Sequence, residues 1–159
     1  MEVKIEPYQP KYKDAFYKLN EEWITAYFKM EQPDRDALDN PESYILAKGG
    51  TILVATLNGE AVGVCALIKR ADLNCFELAK MAVSPKAQGK GIGYLLGKAI
   101  LNHAAAMGET RVYLESNTIL EPAIRLYEKL GFKRIYGLAT PYERCNIQMD
   151  VELRRSGGN

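Results

Sequence analysis

The stretch CFELAKMAVSPKAQGKGIG, residues 75–93, joins a run typical of a β-strand to a glycine-rich turn. CFELAKMAV alternates apolar and polar residues and ends at Ser84-Pro85, which predicts a long strand. Residues 91–107 then carry apolar side chains at helical spacing, and Gly108 follows where a helix would end. A strand, a glycine turn and a helix in this order bring backbone N–H groups together at the positive end of a helix dipole. This arrangement is an anion-binding site.

The segments on either side complete a mixed α/β pattern. TILVATL and EAVGVCALIKR flank Asn58-Gly59 and predict a β-hairpin. The other predicted elements are a strand in EVKIEP, a helix over 12–30, a shorter helix beginning at Asn40-Pro41 after a break at Pro33, a strand in RVYLES, a helix opened by Glu121-Pro122, and strands in FKRIYGL and CNIQMDVEL. The central strand-helix-strand unit requires a right-handed parallel crossover, and the rest of the sheet is expected to be antiparallel.

Composition sets the broad class. The 159 residues are 47% hydrophobic and 26% charged with a formal net charge of +1, which is typical of a soluble globular protein and argues against nucleic acid as a partner. We predict one domain over 1–153 and a disordered tail over 154–159. The N-terminus is too charged for a signal peptide and no apolar run reaches ~20 residues, so we expect a cytoplasmic protein without membrane contact.

Cysteine spacing gives no sign of a metal or disulfide framework. Cys65, Cys75 and Cys145 form no CxxC or Cys/His pair, and we interpret them as reduced thiols. No metal is predicted.

The glycine turn alone is compatible with several phosphate sites. A P-loop requires Ser or Thr after its lysine, whereas Lys90 is followed by Gly91. A Rossmann turn requires a third glycine that is absent until Gly97. Both alternatives are weakened by these differences.

Two longer segments resemble one family. KMAVSPKAQGKGIGYLL resembles motif A of the GNAT superfamily, with Gln88, Gly91 and Gly93 at its fixed positions. AIRLYEKLGFKR resembles motif B, and together the matching elements cover residues 51–136. The resemblance implies a central twisted, mostly antiparallel sheet of six to seven strands with about four helices. It also implies a splayed parallel strand pair that binds acyl-CoA.

The resemblance also implies which residues hold acetyl-CoA, the expected co-substrate. The backbone of Met81, Ala82 and Val83 would contact the pantetheine arm, and the following N–H groups would bind the pyrophosphate. These belong to Gln88, Gly89, Lys90, Gly91, Ile92, Gly93 and Tyr94. Lys86 or Lys90 is a candidate for a phosphate of the adenosine part.

Two side chains are candidate catalysts by the same resemblance. Tyr127 would protonate the departing CoA sulfur and contact the cofactor, although it lies on an apolar stripe where a core role is the alternative. Glu77 would deprotonate the amine through water, with an exposed strand glutamate as the alternative. Many family members carry an Asn seven residues before this Tyr, where this chain has Leu120. The nearby Asn117 would contact the pantetheine or the acceptor, or only cap its loop.

The predicted function is direct acetyl transfer from acetyl-CoA to a primary amine of a small molecule or peptide in a ternary complex. A non-catalytic acyl-CoA-binding regulatory module is the alternative, a nucleotide-binding protein is a third, and a homodimer is a candidate assembly. One acidic cluster predicts a cationic or zwitterionic acceptor, unless its members only cap helices and face solvent. It comprises Glu31, Asp34, Asp36, Asp39 and Glu42.

Overall fold

A computed structural model describes residues 2–153, which form one seven-stranded sheet in the order β1-β2-β3-β4-β5-β7-β6. The strands are β1 Val3–Pro7, β2 Thr51–Leu57, β3 Glu60–Arg70, β4 Cys75–Val83, β5 Arg111–Ser116, β6 Lys133–Ile135 and β7 Ile147–Glu152. The α-helices are α1 Lys13–Tyr27, α2 Gln32–Asp39, α3 Pro41–Tyr44, α4 Ile92–Ala106 and α5 Glu121–Lys129. The fold class predicted from the sequence is confirmed. No helix within residues 2–153 combines the length and apolar character needed to span a membrane.

Helices cover both faces of the sheet because the strands alternate buried side chains. On one face, Phe16 of α1 and Leu38 of α2 pack with Val64 of β3. On the other face, Leu96 and Ile100 of α4 pack with Leu67 and Leu78 of the central strands. The two cores therefore hold the β4 strand between α1–α2 and α4.

The sheet opens between its only two parallel strands among the described residues. β4 and β5 pair at Phe76↔Val112 and Glu77↔Tyr113, and no pair follows further along either strand. All other neighbouring strands pair antiparallel, β5 with β7 along its whole length. The predicted splayed pair is confirmed, and Glu77 lies at its last rung.

A β-bulge interrupts β4 beside this opening. Val64 pairs with Ala82 and Ala66 with Ala79, so Lys80 and Met81 both lie opposite Cys65. Lys80 has a φ of +53°, which is uncommon for a residue other than glycine. The alternation predicted for the whole of 75–83 is therefore wrong, because the extra residue turns Lys80 toward α2 and returns Met81 to the α4 side.

Several predicted boundaries also change. Pro33 does not break a helix but lies in the first turn of α2, whose Glu31 and Asp34 form a capping box. Residues 2–153 contain five α-helices, one more than the approximate number expected. The predicted hairpin forms with Asn58 and Gly59 at φ +53° and +82°, whereas the predicted strand over 132–138 is shortened to β6. The predicted domain boundary at 153 stays a prediction, and the predicted tail at 154–159 lies outside the described residues.

Candidate active site

The glycine-rich turn lies at the start of α4, and we refer to its residues 88–91 as the cradle. Gly91 is the N-cap with φ +73°, Gly89 has φ +79°, and no side chain caps the helix. The first N–H groups of a helix have no partner within it, so this end presents unsatisfied donors. A Cβ at Gly89 or Gly91 would meet nothing within 4 Å, which leaves the backbone open to a ligand.

Two other glycines of this region serve packing. A Cβ at Gly93 would lie 3.2 Å from Leu126, and a Cβ at Gly97 would lie 2.5 Å from Leu130. These positions therefore let α5 pack closely on α4. Of the two candidate phosphate ligands, Lys86 forms an exposed ion pair with Glu60 and Lys90 is exposed beside the cradle, and contact of either with a phosphate stays a prediction.

A cavity occupies the opening between β4 and β5 and contains both candidate catalysts. Its lining includes Glu77 and Met81 from β4, Ser116 from the end of β5, and Tyr127 from α5. Trp23, Ile24 and Phe28 add an apolar wall from α1 and the residue after it. The predicted site residues at the opening are thus brought together, with the cradle at the following end of β4.

Tyr127 is held by packing and keeps its proton at neutral pH. Its ring lies edge-on against Phe132 with 6.2 Å between ring centroids. Burial raises the pKa of the Tyr127 phenol to about 12. The side chain is therefore both a core residue and a protonated donor at the cavity wall.

Glu77 is buried, so the exposed-glutamate alternative is wrong. Burial and the nearby Glu115 charge raise the pKa of Glu77 to about 7, while Arg70 opposes that increase. Arg70 Nη1 donates to Glu77 Oε1 at 3.1 Å, and Glu77 Oε2 accepts no hydrogen bond from residues 2–153. Glu77 can therefore accept a proton near neutral pH.

Glu115 lies beside Glu77 but has both oxygens occupied. Tyr113 donates to Oε2 at 2.7 Å and Thr140 donates to Oε1 at 2.8 Å. Arg70 Nη1 is a further 3.5 Å contact of Oε2. Of the two carboxylates, Glu77 is therefore the one with an oxygen that accepts no hydrogen bond from residues 2–153.

Lys80, Tyr142 and Arg144 line a further side of the cavity and belong to a buried ionic network. Lys80 Nζ donates to Asp34 Oδ1 at 2.6 Å and to the Tyr142 hydroxyl at 2.9 Å. Arg144 donates to both Asp34 oxygens, at 2.7 and 2.8 Å, and to Glu31 Oε2 at 3.2 Å. We refer to Glu31, Asp34, Lys80, Tyr142 and Arg144 as the ionic network.

The ionic network changes the interpretation of the acidic cluster. Asp34 is fully buried and ion-paired, so it is not available to attract a cation from solvent. Asp36 accepts a hydrogen bond from Gln32, and Glu42 accepts one from Tyr8. The expectation that Asp34 steers a cationic acceptor is therefore wrong. Its basic partners, Lys80 and Arg144, are distant in sequence, so the acidic run alone does not reveal the pairing.

Asn117 has a loop-capping role. Its amide nitrogen donates to the Arg144 carbonyl at 2.7 Å, and its amide oxygen accepts from the Ile119 N–H at 3.0 Å. Because Asn117 also lines the cavity, its contact with a cofactor stays a prediction.

Comparison with known proteins agrees with this architecture. Residues 14–132 match the model of the Acetyltransferase (GNAT) family. The chain belongs to the GNAT acetyltransferase family. This GNAT chain is 37% identical over 142 residues to YjgM, an uncharacterized N-acetyltransferase of Escherichia coli K12, covering 88% of the chain and 71% of that relative.

A second group of GNAT relatives is longer. Human N-acetylaspartate synthetase is 33% identical over 119 residues, which are 75% of this chain and 39% of the human protein. The zebrafish (Danio rerio) N-acetylaspartate synthetase is 35% identical over 100 residues, 63% of this chain and 36% of its own. The chain thus spans between a third and two fifths of the length of these relatives.

Solved GNAT structures share the fold. An acetyltransferase of the GNAT family from Staphylococcus aureus Mu50 superposes with a TM-score of 0.86 at 24% identity, covering 96% of this chain and all of that one. YncA from Salmonella typhimurium, a structure with its cofactor acetyl-CoA, has a TM-score of 0.76 at 18% identity. The match covers 100% of this chain and 98% of that one. At these identities the likeness concerns the fold.

Proposed function

We propose that this GNAT chain transfers an acetyl group from acetyl-CoA to a primary amine of a small molecule or peptide. The observation that supports this most is the placement of a glutamate with an available oxygen and a protonated tyrosine in one cavity. That cavity lies where β4 and β5 separate, next to the uncapped start of α4. The alternative, a module that only binds acyl-CoA, gives no role to these two proton-transfer groups.

The cradle fits the pyrophosphate of CoA. The open space over Gly89 and Gly91 and the unsatisfied N–H groups of α4 suit an anion that approaches the backbone closely. On the side of β4 that faces the opening, residues 78–83 have no strand partner and can bind the pantetheine arm. Oriented binding of thioester and amine in one cavity would supply much of the rate.

The proton balance assigns one step to each residue. The ammonium form of the acceptor gives a proton to Glu77, directly or through water, and its nitrogen then attacks the thioester carbonyl carbon. The carbon–sulfur bond breaks as the amide forms, and Tyr127 gives its proton to the departing sulfur. The second proton that the nitrogen loses in becoming an amide restores the Tyr127 phenol, directly or through solvent. The proton held by Glu77 is then released to solvent. No covalent enzyme intermediate is needed.

Acetyl transfer is tested by incubating the protein with acetyl-CoA and an amine panel while free CoA is measured. The panel should include amino acids, polyamines and peptides, and aspartate among them because the named relatives are N-acetylaspartate synthetases. Release of CoA with formation of an acetylated amine supports the proposal. Binding of CoA without transfer to any amine would favour the non-catalytic alternative.

CoA should stabilise the fold against heat. At 1 mM, about 100 times a dissociation constant of ~10 μM, CoA would add ~2.7 kcal/mol to the free energy of unfolding. Gly91→Val should abolish this shift, since its side chain would occupy the open space over the cradle. Gly108→Val is the matched control, because Gly108 has φ +90° and open surroundings at the other end of α4. Equal CoA shifts in both variants would place the pyrophosphate elsewhere.

Tyr127→Phe should lower kcat roughly 10- to 100-fold with the KM for acetyl-CoA within about twofold. The ring and its contact with Phe132 are retained, and only the hydroxyl is lost. Steady-state kinetics with thermal unfolding as the folding control measure both effects. A kcat within about twofold of the wild type would leave Tyr127 with its packing role alone.

A further inference from the structure

Three members of the ionic network line the cavity and carry hydrogen-bond donors: Lys80, Tyr142 and Arg144. Lys80 is buried, its side chain 4% exposed, and an ammonium group has three N–H donors. Two of them bind Asp34 and Tyr142, and the third has no acceptor among residues 2–153. Lys80 therefore lines the cavity with one donor still available.

Tyr142 and Arg144 add donors beside Lys80. The Tyr142 oxygen accepts the lysine hydrogen bond, and burial raises the pKa of the phenol, so its own O–H hydrogen stays available. A guanidinium has five N–H donors, of which Arg144 uses three on Asp34 and Glu31. Both side chains line the same cavity as Lys80 and Glu77.

The acceptor atoms of the ionic network are already occupied. Asp34 Oδ1 accepts from Lys80 and Arg144, and Oδ2 accepts from Arg144 and the Glu31 N–H. Glu31 Oε1 accepts from the Glu143 N–H, and Oε2 accepts from Arg144. A ligand at this end must therefore bring acceptors of its own. A carboxylate provides the strongest match to charged donors.

We propose that Lys80, Tyr142 and Arg144 form a carboxylate subsite, so that the preferred acceptor is a small amino acid with its amine at Glu77. This rests on the proposed transferase function and narrows its acceptor class. Glu77 Oε2 accepts the proton of the ammonium group, and the donors at Lys80 hold the carboxylate of the same molecule. A polyamine offers no acceptor for these donors and leaves them unpaired.

The test compares amines that differ only in the carboxylate. KM is measured for amino acids of each side-chain class and for their own α-carboxamides. Putrescine serves as an amine without a carboxylate. Aspartate is also compared with asparagine, which replaces its side-chain carboxylate by a carboxamide. We expect the carboxamides to have at least ~10-fold higher KM, because each leaves a buried charged donor unpaired. The aspartate pairs also show whether the α- or the side-chain carboxylate is held.

Lys80→Met should raise the KM for the carboxylate acceptor ~10-fold or more, leaving the KM for its carboxamide and for acetyl-CoA within about twofold. Asp34 keeps both bonds to Arg144 in this variant, so its charge stays paired. Tyr142→Phe should act in the same direction by ~3-fold while keeping the ring, and it covers the case in which Lys80→Met does not fold. Lys13→Met, on an exposed lysine 3.9 Å from Glu42, is the control and should change nothing.

The outcomes separate the two proposals. If carboxamides and putrescine react as well as amino acids, or if Lys80→Met and Tyr142→Phe affect acid and amide equally, the carboxylate subsite is refuted while the transferase function stands. If no amine releases CoA from acetyl-CoA, the transferase function fails, and the acceptor inference fails with it.

Discussion

Glu77→Gln should lower kcat/KM roughly 10²- to 10³-fold and remove the pH dependence that the carboxyl imposes. Because the pKa of Glu77 is raised to about 7, the wild type holds the base form above that pH and loses activity as the pH falls through it. The glutamine variant should keep only the pH dependence of the acceptor amine. Initial rates between pH 5 and 9 measure both profiles.

Glu115→Gln is the informative comparison, because Glu115 contributes to the raised pKa of Glu77 and both its oxygens already accept hydrogen bonds. This variant should keep substantial activity and move the pH inflection to a lower value.

A second measurement of the Glu77 pKa, the pH dependence of stability, needs no turnover. Burial disfavours the Glu77 carboxylate, so the free energy of unfolding falls as the pH rises from 4.5 through about 7 and this side chain loses its proton. Glu77→Gln should remove this fall. An unchanged rate profile in Glu77→Gln would refute the base assignment.

Asp34→Asn should destabilise the fold by about 3–5 kcal/mol and lower Tm by on the order of 10 °C. The substitution leaves Lys80 and Arg144 buried without the carboxylate that pairs with both. Burial is the largest single influence on the pKa of Asp34 and acts to raise it. The hydrogen bonds and charges of Arg144 and Lys80 together outweigh burial and lower this pKa to about 2. Its stabilisation is therefore present above pH 3.8 and is lost as the pH falls through about 2.

Asp36→Asn provides the matched control on the same helix. Asp36 is partly exposed and accepts one hydrogen bond from Gln32, so its substitution should change stability by no more than about 0.5 kcal/mol. Thermal or urea unfolding at pH 7 compares the two variants. Equal effects at both positions would show that the ionic network does not hold α2 in place.

The parts predicted correctly from the sequence depend on local chemistry. The turn before α4 follows from glycines that adopt positive φ ahead of an apolar helix, and the hairpin follows from Asn58-Gly59. The parallel crossover follows from a helix between two strands. Each of these features is specified by residues that are close in the chain.

The ionic network beside the cavity could not be predicted in the same way. Asp34 and its partner Arg144 are 110 positions apart in the chain. Without that partner, the acidic run around Asp34 is typical of a solvent-exposed helix start. The bulge did leave a sign in the sequence. The apolar residues Phe76, Leu78, Met81 and Val83 step by two, three and two positions, and the three-residue step marks where Lys80 leaves the alternation.

The two-rung β4–β5 ladder has a mechanical consequence for catalysis. It divides the sheet into halves of four and three strands that meet at Phe76 and Glu77, so a change in the angle between them pivots about this point. Displacement grows with distance from a pivot and is smallest at the pivot itself. The carboxyl of Glu77 would therefore keep its position while the two halves adjust to ligands of different thickness.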